Sequence, residues 1–188
     1  MAEYRLLTIW RIEAPLEEVY AAIHNSPRWP DWWPGVRKVE QVAAGDADGI
    51  NSVLRYSWQG KLPYRMVFDV RATRIEKWVA IEGTVQGDLE GIGRWHFSTE
   101  GAASVLRYEW HVRSTRWWMN LIAPFARSMF IRNHGILMRQ GAEGLAGLLG
   151  APLLSQDNID LMAETAAPST AAPGRVDPEP RAPREDYL

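Results

Sequence analysis

Gly91-Ile92-Gly93-Arg94-Trp95-His96-Phe97-Ser98-Thr99-Glu100-Gly101-Ala102-Ala103-Ser104-Val105-Leu106-Arg107-Tyr108-Glu109-Trp110-His111-Val112 is the stretch that decides the fold. Gly101-Ala102 supplies the centre of a turn, and pairing Glu100 with Ala103 across it carries a register upstream. Trp95 then faces Tyr108, Phe97 faces Leu106, Gly93 faces Trp110 and Gly91 faces Val112. Strand alternation puts all of these on one face. The other face sets Arg94 opposite Glu109 and His96 opposite Arg107, a charged and solvent-like set. Gly91 and Gly93 leave space beneath Val112 and Trp110, as glycine does where a sheet bends strongly. A bent sheet with one aromatic face needs something to cover that face.

The cover is a helix predicted from about Trp117 to Gly150, with a kink or break at Pro124. Phe130, His134, Met138, Gly141, Leu145 and Leu148 recur along it at three- and four-residue spacing, and Gly150-Ala151-Pro152 supplies the stop. Upstream, Tyr4–Ile12 reads as a first strand. Ala14-Pro15 then opens a helix whose Leu16, Val19, Tyr20 and Ile23 share one face. The segment Asn25–Gly35 is so dense in Pro and Trp that it holds only short helical turns. Breaks at Gly45-Asp46, Gly60-Lys61, Ile75-Glu76-Lys77, Gly87-Asp88 and Gly101-Ala102 mark six strands between Val36 and Thr115, seven with the first. Strands this close, without intervening helices, make an antiparallel meander. The fold class expected is α+β: a helix-grip fold, a curved seven-stranded antiparallel sheet wrapped around a long C-terminal helix, with two short helices after strand 1.

Composition bounds the rest. The 188 residues suit one ordinary domain. With 21 Lys+Arg against 23 Asp+Glu, the charge of -2 argues against a nucleic-acid partner. The absence of cysteine excludes disulfides, thiolate metal sites and a cysteine nucleophile. No apolar run reaches the roughly 18 residues of a membrane span, so no stable membrane insertion is expected. The N-terminus lacks the pattern of a signal peptide, and a soluble, cytoplasmic protein is the expectation. The expected division is a domain over 1–150 and an acidic, Pro-rich tail over 151–188, disordered from about 165. That tail could solubilise the chain or bind a protein partner. All ten Trp lie between Trp10 and Trp118, which suits either a large aromatic core or an aromatic-lined cavity.

Residues 4–149 resemble the START-like helix-grip superfamily, often grouped as SRPBCC, and within it the polyketide cyclase/dehydrase-type proteins. The matching residues are Ala14-Pro15 leading into Glu18-Val19-Tyr20, and Trp29-Pro30-Asp31-Trp32-Trp33-Pro34-Gly35-Val36. Further on come Gly87-Asp88-Leu89-Glu90-Gly91-Ile92-Gly93 with Trp95, Tyr108-Glu109-Trp110, and Asn133-His134 with Met138. The resemblance implies a deep cavity between sheet and long helix for a hydrophobic ligand of polyketide-, lipid- or isoprenoid-like character. It does not imply one reaction, since the superfamily includes carriers, cyclases and hydrolases.

Standard catalytic constellations are absent. There is no His-Glu-x-x-His, no phosphate loop and no Gly-x-Ser-x-Gly. Gly91-Ile92-Gly93 lacks the third glycine of a dinucleotide loop, and no cofactor is expected. His24, His96, His111 and His134 are spread apart, so no metal site is expected. The candidate ligand-binding set is Trp33, Tyr56, Trp58, Tyr64, Phe68, Trp95, Tyr108, Trp110, Phe130, Asn133, His134 and Met138. These side chains either fill a core or line a cavity for a flat hydrophobic molecule, and composition leaves both open. His134 is the candidate catalytic acid/base, with a Tyr as partner, because an imidazole titrates near neutrality. The alternative is a core imidazole satisfied by one hydrogen bond.

Overall fold

A computed structural model describes residues 2–60, 65–115 and 123–166. Its strands are β1 (Glu3–Ile12), β2 (Val36–Ala43), β3 (Val53–Trp58), β4 (Met66–Glu76), β5 (Ala80–Gly87), β6 (Leu89–Glu100), β7 (Ala103–Ser114) and β8 (Leu153–Asp160). They form one sheet in the order β2-β3-β4-β5-β6-β7-β1-β8, antiparallel throughout. The helices are α1 (Leu16–His24), α2 (Trp29–Trp32), α3 (Ala123–Leu149) and α4 (Leu161–Ala166), with a 3-10 turn over Ser26–Arg28.

The β6–β7 hairpin takes the expected register. Glu100 pairs with Ala103, Trp95 with Tyr108, Gly93 with Trp110, and Gly91 with Val112. Gly91 adopts φ +149°, and a Cβ there would run into the His111 carbonyl. Only glycine allows this bend. On the aromatic face Trp95, Phe97, Leu106, Tyr108 and Trp110 are all buried. The break between β4 and β5 falls over Lys77–Val79, where Trp78 takes φ +66° and lies under the Lys77 ammonium.

One expectation needs correction. The sheet has eight strands rather than seven, because Leu153–Asp160 pairs with the free edge of β1, Thr8 against Asn158 and Trp10 against Gln156. The domain therefore runs past the expected boundary at 150. Its eighth strand was hidden in Leu-Leu-Ser-Gln-Asp-Asn-Ile-Asp because an edge strand is held by backbone pairing and needs no apolar run. Arg127 of α3 also binds Asp160, at 2.9 Å. The expectation of disorder from about 165 concerns residues almost wholly outside those described. The long helix α3 is described over Ala123–Leu149, and the expected start near Trp117 lies outside the described residues.

The stripe on α3 also drifts. Phe130, His134, Met138 and Leu145 are buried, but Leu148 is 54% exposed. Ala142 and Leu149 pack on the core instead, as a period of 3.6 residues demands. Gly150 at φ +60° ends the helix, and the Ala151 N–H reaches back to the Ala146 carbonyl at 3.0 Å.

Candidate functional site

The aromatic segment after α1 divides its indoles between two tasks. Trp33 is fully buried under α3 and donates Nε1–H to the Leu137 carbonyl at 2.8 Å. Gly141 faces its ring so closely that a Cβ there would strike it. Trp10, also fully buried, lies 5.4 Å from Trp33 and 5.3 Å from Trp95, ring centre to ring centre. These indoles fill the space between α3 and the sheet. Trp29 instead turns toward the end of α1 and donates to the Ile23 carbonyl at 3.1 Å.

Beyond Trp29 the interior opens into a cavity of about 550 Å³. Its walls are Tyr56 and Trp58 of β3, Phe68 of β4, Trp95 of β6, and Tyr108 and Trp110 of β7. Its rim is formed by His24, Ser26, Pro27 and the loop from Ala44 to Ser52. Cross-strand pairing assembles the wall: Tyr56 stands against Phe68, and Trp95 against Tyr108 with ring centres 4.3 Å apart. Gly83 and Gly93, paired across β5 and β6, both line the cavity.

This position departs from the expected one. The cavity lies between the sheet and the short α1 and 3-10 segments, and no α3 residue is among the described residues that line it. Of the candidate residues, Tyr56, Trp58, Phe68, Trp95, Tyr108 and Trp110 come together there. Trp33, Phe130, Asn133, His134 and Met138 do not. Phe130 stacks on Tyr4 at 3.9 Å, and Met138 is fully buried. Asn133 and His134 border a separate pocket of about 20 Å³, room for roughly one water. Tyr64 lies outside the described residues. The reason is volume: Trp10 and Trp33 occupy the place beneath α3. Sequence reading missed Leu54, Val70 and Gly83, although Leu54 shares strand parity with Tyr56, and Val70 with Phe68.

Charge and protons follow from burial. Tyr56 donates its hydroxyl to Ser26 Oγ at 2.8 Å, and burial pushes its pKa up to about 12. Burial also raises Tyr108 well above the usual phenol value, with the nearby Tyr56 adding to the effect. Both remain protonated donors at neutral pH. His134 is moved the other way, to about 4, by burial. Thr8 spends its one hydroxyl proton on Asn158 Oδ1 at 2.7 Å. The 3.4 Å contact between Thr8 Oγ1 and His134 Nε2 therefore requires Nε2–H as the donor. His134 is a neutral core imidazole held by β1. Among the described residues, no three His, Asp or Glu side chains come together as a metal site.

An antiparallel sheet curved over an aromatic cavity, with a long helix packed across the rest of its face, defines the helix-grip class of proteins. The chain belongs to the family described as polyketide cyclase/dehydrase and lipid transport, whose profile matches residues 12–133. Among solved structures it is similar to the Zhui aromatase/cyclase from Streptomyces sp. R1128, with 14% identity, a TM-score of 0.61, and coverage of 79% of this chain and 94% of that one. A START superfamily protein from Mycobacterium smegmatis aligns at 16% identity and a TM-score of 0.63 over 78% of this chain and 97% of that one. The di-domain aromatase/cyclase BexL from the BE-7585A biosynthetic pathway aligns at 17% and 0.64, over 80% of this chain and 51% of its own. These likenesses concern the fold. A comparison with curated protein sequences finds no match. No helix among the described residues is long and apolar enough to cross a membrane.

Proposed function

We propose that the protein binds a hydrophobic, polycyclic small molecule, polyketide-, lipid- or isoprenoid-like, in the cavity beneath α1. One observation carries this reading: about 550 Å³ of space lined by seven aromatic side chains, Trp29 among them, and reached past the Ala44–Ser52 loop. That volume falls within the roughly 300–1,000 Å³ of small-molecule sites. Aromatic walls favour flat ligands through stacking and dispersion. Mass spectrometry of molecules that copurify from a native preparation tests the reading, joined to titration with anthraquinone followed by Trp emission. Leu54→Trp, which fills the chamber from its wall, is expected to weaken anthraquinone binding by at least roughly tenfold. A preparation free of ligand that also ignores anthraquinone would overturn the proposal.

A catalytic version of the same reading rests on Tyr108, not on His134. The Tyr108 hydroxyl lines the cavity, makes no hydrogen bond among the described residues and stays protonated. It is placed to polarise a ligand carbonyl, as cyclisation and dehydration both require. Tyr108→Phe would then abolish turnover of a cyclising substrate while retaining its binding. Retained turnover would leave the carrier reading alone.

A further inference from the structure

We infer that the cavity admits uncharged and cationic polycyclic ligands and turns away anionic ones. This rests on the binding reading above and adds the charge of the ligand. Among the described residues that line the cavity there is no Lys or Arg. On the lining strands Arg55 grips Asp69 through two hydrogen bonds of 2.7 and 2.8 Å, and Arg71 donates to the Asn51 carbonyl of the rim loop at 3.4 Å. Arg74 and Arg94 both pair with Glu82, at 2.9 and 3.2 Å. A buried anion is tolerated only when a cation or a full set of donors meets it.

The rim carries the opposite sign. Asp46 and Asp48 stand exposed in the loop that borders the opening. Asp46 Oδ1 accepts the backbone N–H groups of Asp48 and Ile50 at 3.0 and 2.9 Å, which fixes the loop. His24 lies at this rim too, Glu82 is a further carboxylate of the lining, held by Arg74 and Arg94, and the Arg71 guanidinium meets the loop at the Asn51 carbonyl. An ammonium on the outer end of a ligand is drawn to these carboxylates, and a carboxylate is repelled.

The wall supplies the second part of the selection. Tyr108 lines the chamber as a neutral, protonated donor. The Tyr56 hydroxyl beside it is already given to Ser26. A ligand carbonyl, quinone or ether oxygen satisfies such a donor without bringing a charge. A carboxylate would take the same bond, but its full charge would stay unmatched among aromatic rings.

Three matched probes test this on the full chain by quenching of Trp emission: anthracene-9-carboxamide, anthracen-9-ylmethylammonium and anthracene-9-carboxylate. The amide and the ammonium are expected to bind at least roughly tenfold more tightly than the carboxylate. Raising salt from about 50 to about 500 mM should narrow the gap between ammonium and carboxylate and leave the amide unaffected. Asp46→Asn with Asp48→Asn should lower the ammonium's affinity several-fold and spare the amide. A carboxylate that binds as well as the amide would overturn the inference while the binding reading stands. An unchanged ammonium-to-carboxylate ratio in the double variant would also overturn it, because the rim would then exert no selection. Failure of all three probes would overturn the binding reading itself.

Discussion

Gly83 of β5 and Gly93 of β6 stand opposite one another in the sheet and both line the cavity, and each lets a neighbour, Val70 at Gly83 and Trp110 at Gly93, lie where a Cβ would be. A Cβ on Gly93 would lie 2.7 Å from the Trp110 ring and 3.2 Å from the Tyr108 hydroxyl. Gly93→Ala must therefore push the indole into the chamber. We expect a loss of about 1–3 kcal/mol from overpacking, together with weaker anthraquinone binding. Urea unfolding and the emission titration read the two effects separately. If neither moves, Gly93 does not shape the cavity wall.

His134 makes stability depend on pH in a defined direction. Its imidazole titrates near 6.5 when unfolded and near 4 when folded. Between those values the unfolded chain binds more protons, so the contribution is complete above pH 6.5 and is lost as pH falls toward 4. Its size is up to about 3 kcal/mol. Gln in place of His134 can still donate to Thr8 but cannot charge. The stability of His134→Gln relative to the parent should therefore improve steadily from pH 7 to pH 4. Parallel curves across that window would show that His134 is not desolvated.

Trp33 separates the packed part of the interior from the open part. Trp33→Phe removes the hydrogen bond to the Leu137 carbonyl and the volume beneath α3. A destabilisation of about 1–3 kcal/mol is expected, from the lost hydrogen bond and the void left by the smaller ring. Affinity for anthraquinone should stay within about twofold of the parent, since Trp33 is not part of the cavity wall. A large loss of affinity at unchanged stability would move the site back beneath α3.

The C-terminal end of the body can be found by truncation. Ending the chain at Gly150 removes β8 and the Arg127–Asp160 pair and exposes the edge of β1. Ending it at Ala166 keeps both and deletes only the Pro-rich, apolar-poor stretch. The first truncation should lower the melting temperature by many degrees or cause association, and the second should leave it unchanged. Equal melting temperatures for the two would show that β8 contributes nothing.

Local pattern alone reached far into this fold. The β6–β7 register, the inward set from Trp95 to Trp110, the buried face of α1 and the stop at Gly150 were legible because each depends on a short-range period or a turn. Six cavity-wall residues were legible for the same reason, since alternation puts Tyr56, Trp58, Phe68, Trp95, Tyr108 and Trp110 on one face. Tertiary structure alone decided where that face is packed and where it is open. The answer depends on Trp10, Trp33 and Gly141, distant in the chain, filling the volume beneath α3, and on Gly93 letting the Trp110 ring lie close against β6 in the cavity wall. It also decided that Leu153–Asp160 is a strand, because the free backbone of β1 holds it and no pattern in its own side chains announces it.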